Sequence, residues 1–477
     1  MPKDTFLQQN ETGNILFPFT IDSDRLAGKP LVCSKQLRLL PGKRLVCQAS
    51  YAGANALVKI FFGSSYQRHW SREVRGVEHL CSSGLRTPRL LESWDAVENN
   101  FAIIIFEFIE GAKTLDEIRQ EDDFFNPEMG FFEEIVTVVA RMHDASIYQK
   151  DIHFDNFLVA EGKVYLIDGD QIFSKRGRSG LPSKLAGDNL AMFFAQLYPW
   201  QDGLIESLFN SYLGERELPN PSLTLPSVKR ELQACRARRE KKYLTKIFRT
   251  CSAFDVIKSW KTYCVFSRDF GEQNANRFIE DPDLLIENGE ILKSGRTATV
   301  AKINLSGVPY IVKRYNKKSA HHQIARSLIE SRSAVSWRNG HLLKFNGIPT
   351  AEPLLMLEQR VGPMRGRSFV VTEYRPGLHA FDYFQAGDSS SEAKGVAKKI
   401  VKLVQSLHRC QLVHGDLKAH NIWITGTNPI LIDLDGMKKI NGNGKKLIAK
   451  DWSRLKRDLG DSQIAEVLFK QHADKEL

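Results

Sequence analysis

At 477 residues the chain is too long for one ordinary hydrophobic core, which predicts two domains or three. An apolar content of 42% and a charged content of 26% exclude a disordered or fibrous chain. The apolar run FAIIIFEF at 101–108 is less than half of what a spanning helix needs and reads as a buried strand. The net charge of +11 points to acidic partners, and seven scattered cysteines without a CxxC pair suggest neither zinc nor a redox motif but a reducing cytosol.

In chain order, the first predicted block is β-rich: LRLLPGKRLVCQASYAGANALVKIFF breaks apolar and β-branched runs with glycine turns. A helical stretch follows, then strands ending at IFEFIEG. MGFFEEIVTVVARMH has apolar residues at helical spacing, and two short strands flank a polar loop, the second ending in YLIDGD. The segment from about 204 to 283 belongs to no such plan. VKRELQACRARREKKYLTKIF within it reads as helix, and its basic run at 235–249 reads as a solvated face or a docking site for anionic headgroups or phosphorylated sugar. The polar stretch GEQNANRFIEDPD is the linker candidate. After it the first plan returns, from EILKSGRTATVAKINLSGVPYIVKRY to ILIDLDG. These readings give a first domain at 1–270, a linker at 271–284 and a second domain at 285–477.

The return is residue by residue. His143 matches His408, Asp151 matches Asp416, Asn156 matches Asn421 and Asp168 matches Asp433, each pair 265 residues apart. Upstream, Lys59 and Lys313 are 254 apart, Gly84 and Gly347 263, and Glu107 and Glu373 266, a drift that loop insertions explain. The expected fold class is α+β: two tandem protein-kinase-like domains, each with an N-terminal sheet lobe and a helical C-terminal lobe.

The loop spacing carries chemistry. In phosphoryl transfer one carboxylate orients or deprotonates the acceptor hydroxyl, while an asparagine five residues on and an aspartate at the next strand end hold Mg²⁺ against the phosphates of ATP. Asp151 and Asp416 are the expected bases; Asn156, Asp168, Asn421 and Asp433 are the expected metal ligands. Asp168 and Asp433 are preferred over Asp170 and Asp435 because they complete the apolar strand. Lys59 and Lys313 are placed to grip phosphates, and Glu73 is placed to pair with Lys59. The position equivalent to Glu73 in the second copy is Ser336, with Glu330 a nearby substitute. Gly295 in KSGRTATV suggests a phosphate-facing turn, and Glu107 and Glu373 mark the segments that would present backbone groups to adenine. His143 and His408 read as packing residues, and Gln149 stands where the second copy has His414.

The run RSFVVTEYRPG, LVQSLHRCQLVHGDLKAHNIWI, PILIDLDGMK and KDWSRLKRDL resembles the lipopolysaccharide core heptose kinase family, the Kdo/WaaP-like kinases, as do FNGIPTAEPLL and SGLRTPRLL. The likeness covers the second copy and, more loosely, residues 36–200 of the first. It implies ATP-dependent phosphorylation of a sugar hydroxyl, heptose-type, on the lipopolysaccharide core or another anionic glycolipid. The place implied is the cytoplasm, peripheral on the inner face of the inner membrane, with no nucleic acid as partner. The family is normally single-domain, so a tandem chain leaves one or two working sites open. The other readings are a regulatory or scaffold pseudokinase that binds nucleotide or a partner, and a protein or small-molecule kinase.

Overall fold

The computed structural model describes residues 15–121, 123–125, 130–175, 180–218, 222–316, 330–386 and 390–460. They form two compact units: Met1–Leu197 with Gly203–Cys235, and Tyr198–Asp202 with Arg236–Leu477. Each is mixed helix and sheet.

The first unit opens with strands β1 (Phe19–Ile21), β2 (Leu31–Leu40), β3 (Arg44–Tyr51) and β4 (Ala54–Phe62), helix α1 (Tyr66–Ser82), and strands β5 (Leu90–Ala96) and β6 (Phe101–Glu107). The strands make one antiparallel sheet in the order β1-β2-β3-β4-β6-β5. Alternation builds it: in β3, Leu45, Cys47 and Ala49 are buried and join Val58, Ile60, Ile103 and Ile105 on one face. Below it come β7 (Lys113–Thr114), α2 (Leu115–Glu121), α3 (Phe131–Asp144), β8 (Ile147–Gln149), β9 (Phe157–Ala160), β10 (Lys163–Leu166), β11 (Ile172–Ser174), α4 (Ser183–Phe194) and α5 (Ile205–Glu215). α3 buries Phe132, Ile135, Val136, Val139 and Ala140, the three-and-four spacing of one helix face, against Phe193, Phe194, Leu208 and Tyr212. Helix α6 (Leu225–Lys246) crosses the division between the units.

The second unit contains β12 (Phe254–Lys258), β13 (Thr262–Ser267), α7 (Glu272–Glu280), α8 (Pro282–Glu287), β14 (Glu290–Ser294), β15 (Ala298–Leu305), β16 (Val308–Tyr315), α9 (Arg332–Phe345), β17 (Pro353–Val361) and β18 (Met364–Glu373). Its helical part has β19 (Leu378–His379), α10 (Ala380–Ala386), α11 (Ser391–Arg409), β20 (Leu412–Val413), β21 (Ile422–Thr425), β22 (Asn428–Leu431), β23 (Lys438–Lys439) and α12 (Lys445–Leu459). The sheet order is β12-β13-β17-β18-β16-β15-β14. Read from the other edge, β14-β15-β16-β18-β17 follows the same path as β2-β3-β4-β6-β5. The small sheets correspond too: β10-β9-β7 with β22-β21-β19, and β11-β8 with β23-β20. What differs is the extension, β1 beside β2 in one unit and β13-β12 beside β17 in the other.

The expected linker at 271–284 is not a linker. It forms α7 and α8, with Ala275, Phe278 and Ile286 buried beside Phe369 and Leu357. Ser267 and Asp281 accept from backbone N–H groups at helical turn starts, and Pro282 opens α8. Its polar residues lie on the solvent side of short helices, which is why the stretch looks like a spacer. The boundary at 270 moves for a related reason. β12 and β13 join the second sheet through β17, and Ile247 and Phe254 pack on Trp337 and Met356, so the second unit takes up the chain from Arg236.

Candidate active sites

In the first unit Lys59 lies midway along β4, opposite Val46 of β3 and Ile104 of β6. Its ammonium forms an ion pair with Glu73 of α1 and lies 5.4 Å from the centre of the Phe106 ring. Glu73 is only 1% exposed and also accepts from the N–H groups of Gly169 (3.2 Å) and Asp170 (3.1 Å). One carboxylate therefore ties α1 both to the strand lysine and to the loop after Asp168. Gly76, three residues further along α1, permits this approach, because a Cβ there would collide with the Gly169 carbonyl. Asp168 adopts a left-handed conformation at φ 66°, with Oδ1 3.5 Å from Nη1 of Arg44. Arg44 also stands 3.6 Å from Glu73. Asp170 is occupied by Arg72 and His69, each at 3.0 Å.

In the second unit Lys313 holds the equivalent register, opposite Val300 and Val370. Its partners are Asp433, in an ion pair, and Asp435 at 3.8 Å. Glu330 does not substitute for the missing glutamate: it pairs with Arg338. Ser336 shares a 2.6 Å hydrogen bond with the Tyr315 hydroxyl. Burial pushes the Asp433 carboxyl up, but the charge and hydrogen bond of Lys313 overcome it and hold the group below its ordinary value. Asp435 is pushed up, by burial first and then, against the pull of Lys313, by the hydrogen bond and charge of Asp433. Asp433 too is left-handed, at φ 60°. A cleft of about 470 Å³ lies between sheet and helical part, lined by Lys313, Asn421 and Asp433 together with Ile311, Val370 and Trp423.

The loops between match closely. Nδ2 of Asn156 donates to the Asp151 carbonyl at 2.9 Å, and Nδ2 of Asn421 donates to that of Asp416 at 2.8 Å. Each asparagine spends its N–H on the loop, which leaves its Oδ1 as an oxygen donor, and its backbone carbonyl accepts from the residue just before the strand-end aspartate, Ile167 at 3.0 Å and Ile432 at 3.1 Å. Oxygen donors of this kind fit a hard divalent cation such as Mg²⁺. Among the described residues no group of three or more histidine, cysteine or acidic side chains is placed to hold a metal ion.

Glu107 and Glu373 end β6 and β18, and their carboxylates accept from the N–H groups of Arg89 and Glu352, both at 2.8 Å. Gly295 donates its own N–H to the Ala298 carbonyl at 3.0 Å. It closes the turn and does not offer that donor to a phosphate. Gln149 and His414 do the same job, donating to the carbonyls of Ile167 and Ile432, each at 2.9 Å.

Sequence reasoning missed the support beneath these loops. Asp451 of α12, 1% exposed, accepts from the N–H groups of His414 (2.7 Å) and Gly415 (3.0 Å), and lies 3.5 Å from His408. In the first unit Asn189 of α4 donates to the Gln149 carbonyl at 2.7 Å and bonds His143 at 3.0 Å. His143 is fully buried and also bonds the Tyr212 hydroxyl; burial lowers its pKa to about 4. An acid inside the apolar pattern KDWSRL was the available signal for Asp451. Arg44, immediately after the Gly42 turn, had none.

Residues 63–184 and 277–471 match the profile of the lipopolysaccharide kinase (Kdo/WaaP) family. A 3-deoxy-D-manno-octulosonic acid kinase of Actinobacillus succinogenes is 27% identical over 216 residues, covering 42% of this chain and 88% of that protein. Among solved structures, WaaP in complex with acyl carrier protein aligns with a TM-score of 0.34 and 18% identity, over 44% of this chain and 88% of that one. With two thirds of its length inside the family profile, this chain belongs to the lipopolysaccharide kinase (Kdo/WaaP) family, whose fold is protein-kinase-like, and is a phosphotransferase.

Proposed function

We propose that the chain is a tandem duplication of one kinase fold, divided near Cys235, that transfers the γ-phosphoryl group of ATP to a sugar hydroxyl of the lipopolysaccharide core. The observation that carries this reading is the repeated loop: asparagine tied to the carbonyl of the aspartate five residues before it, and a left-handed aspartate at the next strand end, in both units. Asp151 and Asp416 are the proposed bases. They would orient the acceptor hydroxyl and take up its proton as the phosphoryl group transfers. Asn156 with Asp168, and Asn421 with Asp433, would hold Mg²⁺, which when bound disperses charge on the phosphates. Lys59 and Lys313 would grip the phosphates, and the main chain after Glu107 and Glu373 would meet adenine. The apolar residues Ile311, Val370 and Trp423 give a base the surface to stack on in the second cleft.

Heptose is the first candidate acceptor, and the curated relative supplies 3-deoxy-D-manno-octulosonic acid as the second. Whether one site works or both, at different sugar positions, is decided by ATP-dependent phosphate transfer to dephosphorylated core carrying each sugar, with Asp151→Ala, Asp416→Ala and the double variant. Loss in one single variant assigns the working unit; partial loss in each, at distinct positions, establishes a bifunctional kinase. No transfer by the wild type despite ATP binding sinks the proposal. A specific observation favours a second reading for one unit: Lys313 takes the proposed metal ligand Asp433 as its counter-ion, which suits a nucleotide-binding regulatory unit. Among the described residues no helix is long and apolar enough to cross a membrane.

A further inference from the structure

One end of the second unit's sheet carries an apolar prominence. β12 and β13 turn at residues 259–261 and β17 and β18 turn at 362–363. The two turns lie side by side: Gly362 N–H donates to the Trp260 carbonyl at 3.0 Å, and Arg360 N–H to the Lys261 carbonyl at 2.7 Å. Trp260 is 71% exposed, Val361 61% and Met364 49%. Gly362 has φ 60°, and a Cβ there would lie 2.8 Å from the indole, so only glycine allows both the turn and the ring across it. Lys258 and Lys261 are exposed beside the indole. Glu358, 2% exposed beneath the turn, is engaged by Arg360 at 2.8 Å and Arg365 at 3.5 Å. The outer surface is thus apolar at its tip and basic around it.

Strand register places this tip. Ser368 pairs with Tyr315, and Tyr315 with Ala298, so the glycine turn before β15 and the β17–β18 turn leave the sheet at the same end, away from Glu373. Lys313 is two residues from that end of β16. Met364 lies four residues beyond Ser368, roughly 13 Å farther at the rise of a strand. A planar surface touched by the tip would face the Lys313–Asp433 end of the cleft.

We propose that the paired hairpin tips dock the protein on an anionic membrane surface. Trp260, Val361 and Met364 enter the headgroup layer, and the exposed Lys258 and Lys261 meet lipid phosphates. An indole with a wet N–H and an apolar body, flanked by lysines, is suited to that interface. The tip is convex, which fits a fluid lipid layer that can close around it; a protein partner would have to bring a groove. The proposal rests on the reading of the acceptor as a membrane-borne glycolipid and supplies its orientation.

The test is co-sedimentation of the full chain with vesicles of phosphatidylglycerol mixed with phosphatidylcholine, and with phosphatidylcholine alone. Binding is expected to the anionic vesicles only and to fall as salt rises. Trp260→Ser should lower partition on the order of tenfold, and Lys261→Glu about fivefold or more. Both variants should phosphorylate a deacylated, soluble core acceptor at the wild-type rate and unfold at the wild-type temperature, because both positions are exposed turn residues. A wild type that ignores anionic vesicles overturns the proposal, as do variants that partition unchanged. Crosslinking of this tip to a protein, with no vesicle binding, also overturns it. The vesicles hold no lipopolysaccharide, so this outcome is independent of whether the sugar acceptor has been read correctly.

Discussion

Lys59 and Lys313 stand at the same register of two sheets with the same strand order, yet they hold different carboxylates. Lys59 meets Glu73, which comes from α1 and is itself bonded to the loop after Asp168. Lys313 meets Asp433 on the loop directly, because α9 presents Ser336 at that point. A lysine with a helix glutamate is held ready while the aspartate keeps its own oxygens, shared in the first unit with Arg44 at 3.5 Å. Without the glutamate, the lysine and the proposed metal ligand neutralise each other. On the proposed reading, the first arrangement would be preorganised for a metal–nucleotide complex and the second would have to be opened by one.

The sharpest way to break this comparison is at the proposed bases. Asp151→Ala and Asp416→Ala should each lower transfer at their own site by about 10²–10⁴-fold, read as phosphate incorporated per sugar position. If the lysine environment decides competence, Asp151→Ala causes the greater loss. A greater loss with Asp416→Ala would show that nucleotide binding readily displaces Lys313 from Asp433.

Next in size is the clamp. Glu73→Ala leaves Lys59 buried without its counter-ion and the N–H groups of Gly169 and Asp170 without their acceptor. It should cost the first unit about 3–5 kcal/mol, measured by denaturant unfolding. Ser336→Glu runs the comparison backwards. It gives up the bond to Tyr315 and offers Lys313 a helix carboxylate. If that draws the lysine from Asp433, affinity for Mg²⁺–nucleotide should rise about fivefold, about 1 kcal/mol for a charge-assisted hydrogen bond. An unchanged affinity would mean that Lys313 and Asp433 do not restrain each other.

What the sequence made legible follows from range. The loop residues lie within 25 positions of one another in each copy, from His143 to Asp168 and from His408 to Asp433, so their spacing survives as text. The strand lysines were legible because β-branched neighbours flag a buried strand. The partners were not. Whether a lysine finds Glu73 or Asp433 depends on how a helix lies against a loop some hundred residues away. Asn189 and Asp451 brace the loops from helices that follow them, through backbone bonds that leave no motif. The α7–α8 segment was misread because nine-residue and six-residue helices with polar outer faces have the composition of a spacer.

The units should also separate on acidification. His143 in the first unit is held neutral, with its pKa lowered to about 4 by burial. In the second unit His341 is lowered to about 3, by burial first and then by Lys344, and burial lowers His414 as well. A histidine whose folded value lies below its unfolded one, about 6.5, is protonated first in the unfolded chain. Its stabilising contribution is complete above that value and shrinks as pH falls toward the folded one. Each fully depressed histidine therefore costs about 2 kcal/mol between pH 7 and pH 5. Three histidines are lowered in the second unit, His341, His379 and His414, against His143 in the first, so the second unit should lose more stability. Denaturant unfolding at both pH values, with His341→Gln flattening the slope of the second transition, checks this.

The smallest effect tests whether the loop difference between the copies matters. Gln149 and His414 reach the carbonyls of Ile167 and Ile432 at the same 2.9 Å, so the two side chains are alternatives for one hydrogen bond. Gln149→His should keep that bond and change the stability of the first unit by about 0.5 kcal/mol or less, with transfer at that site altered less than threefold, the rate equivalent of that energy. Gln149→Leu removes the donor and leaves the Ile167 carbonyl unpaired, at a cost of about 1–3 kcal/mol. If histidine proves as damaging as leucine, the bond is not what the position supplies. The packing of the fully buried glutamine side chain would then be what distinguishes the first loop from the second.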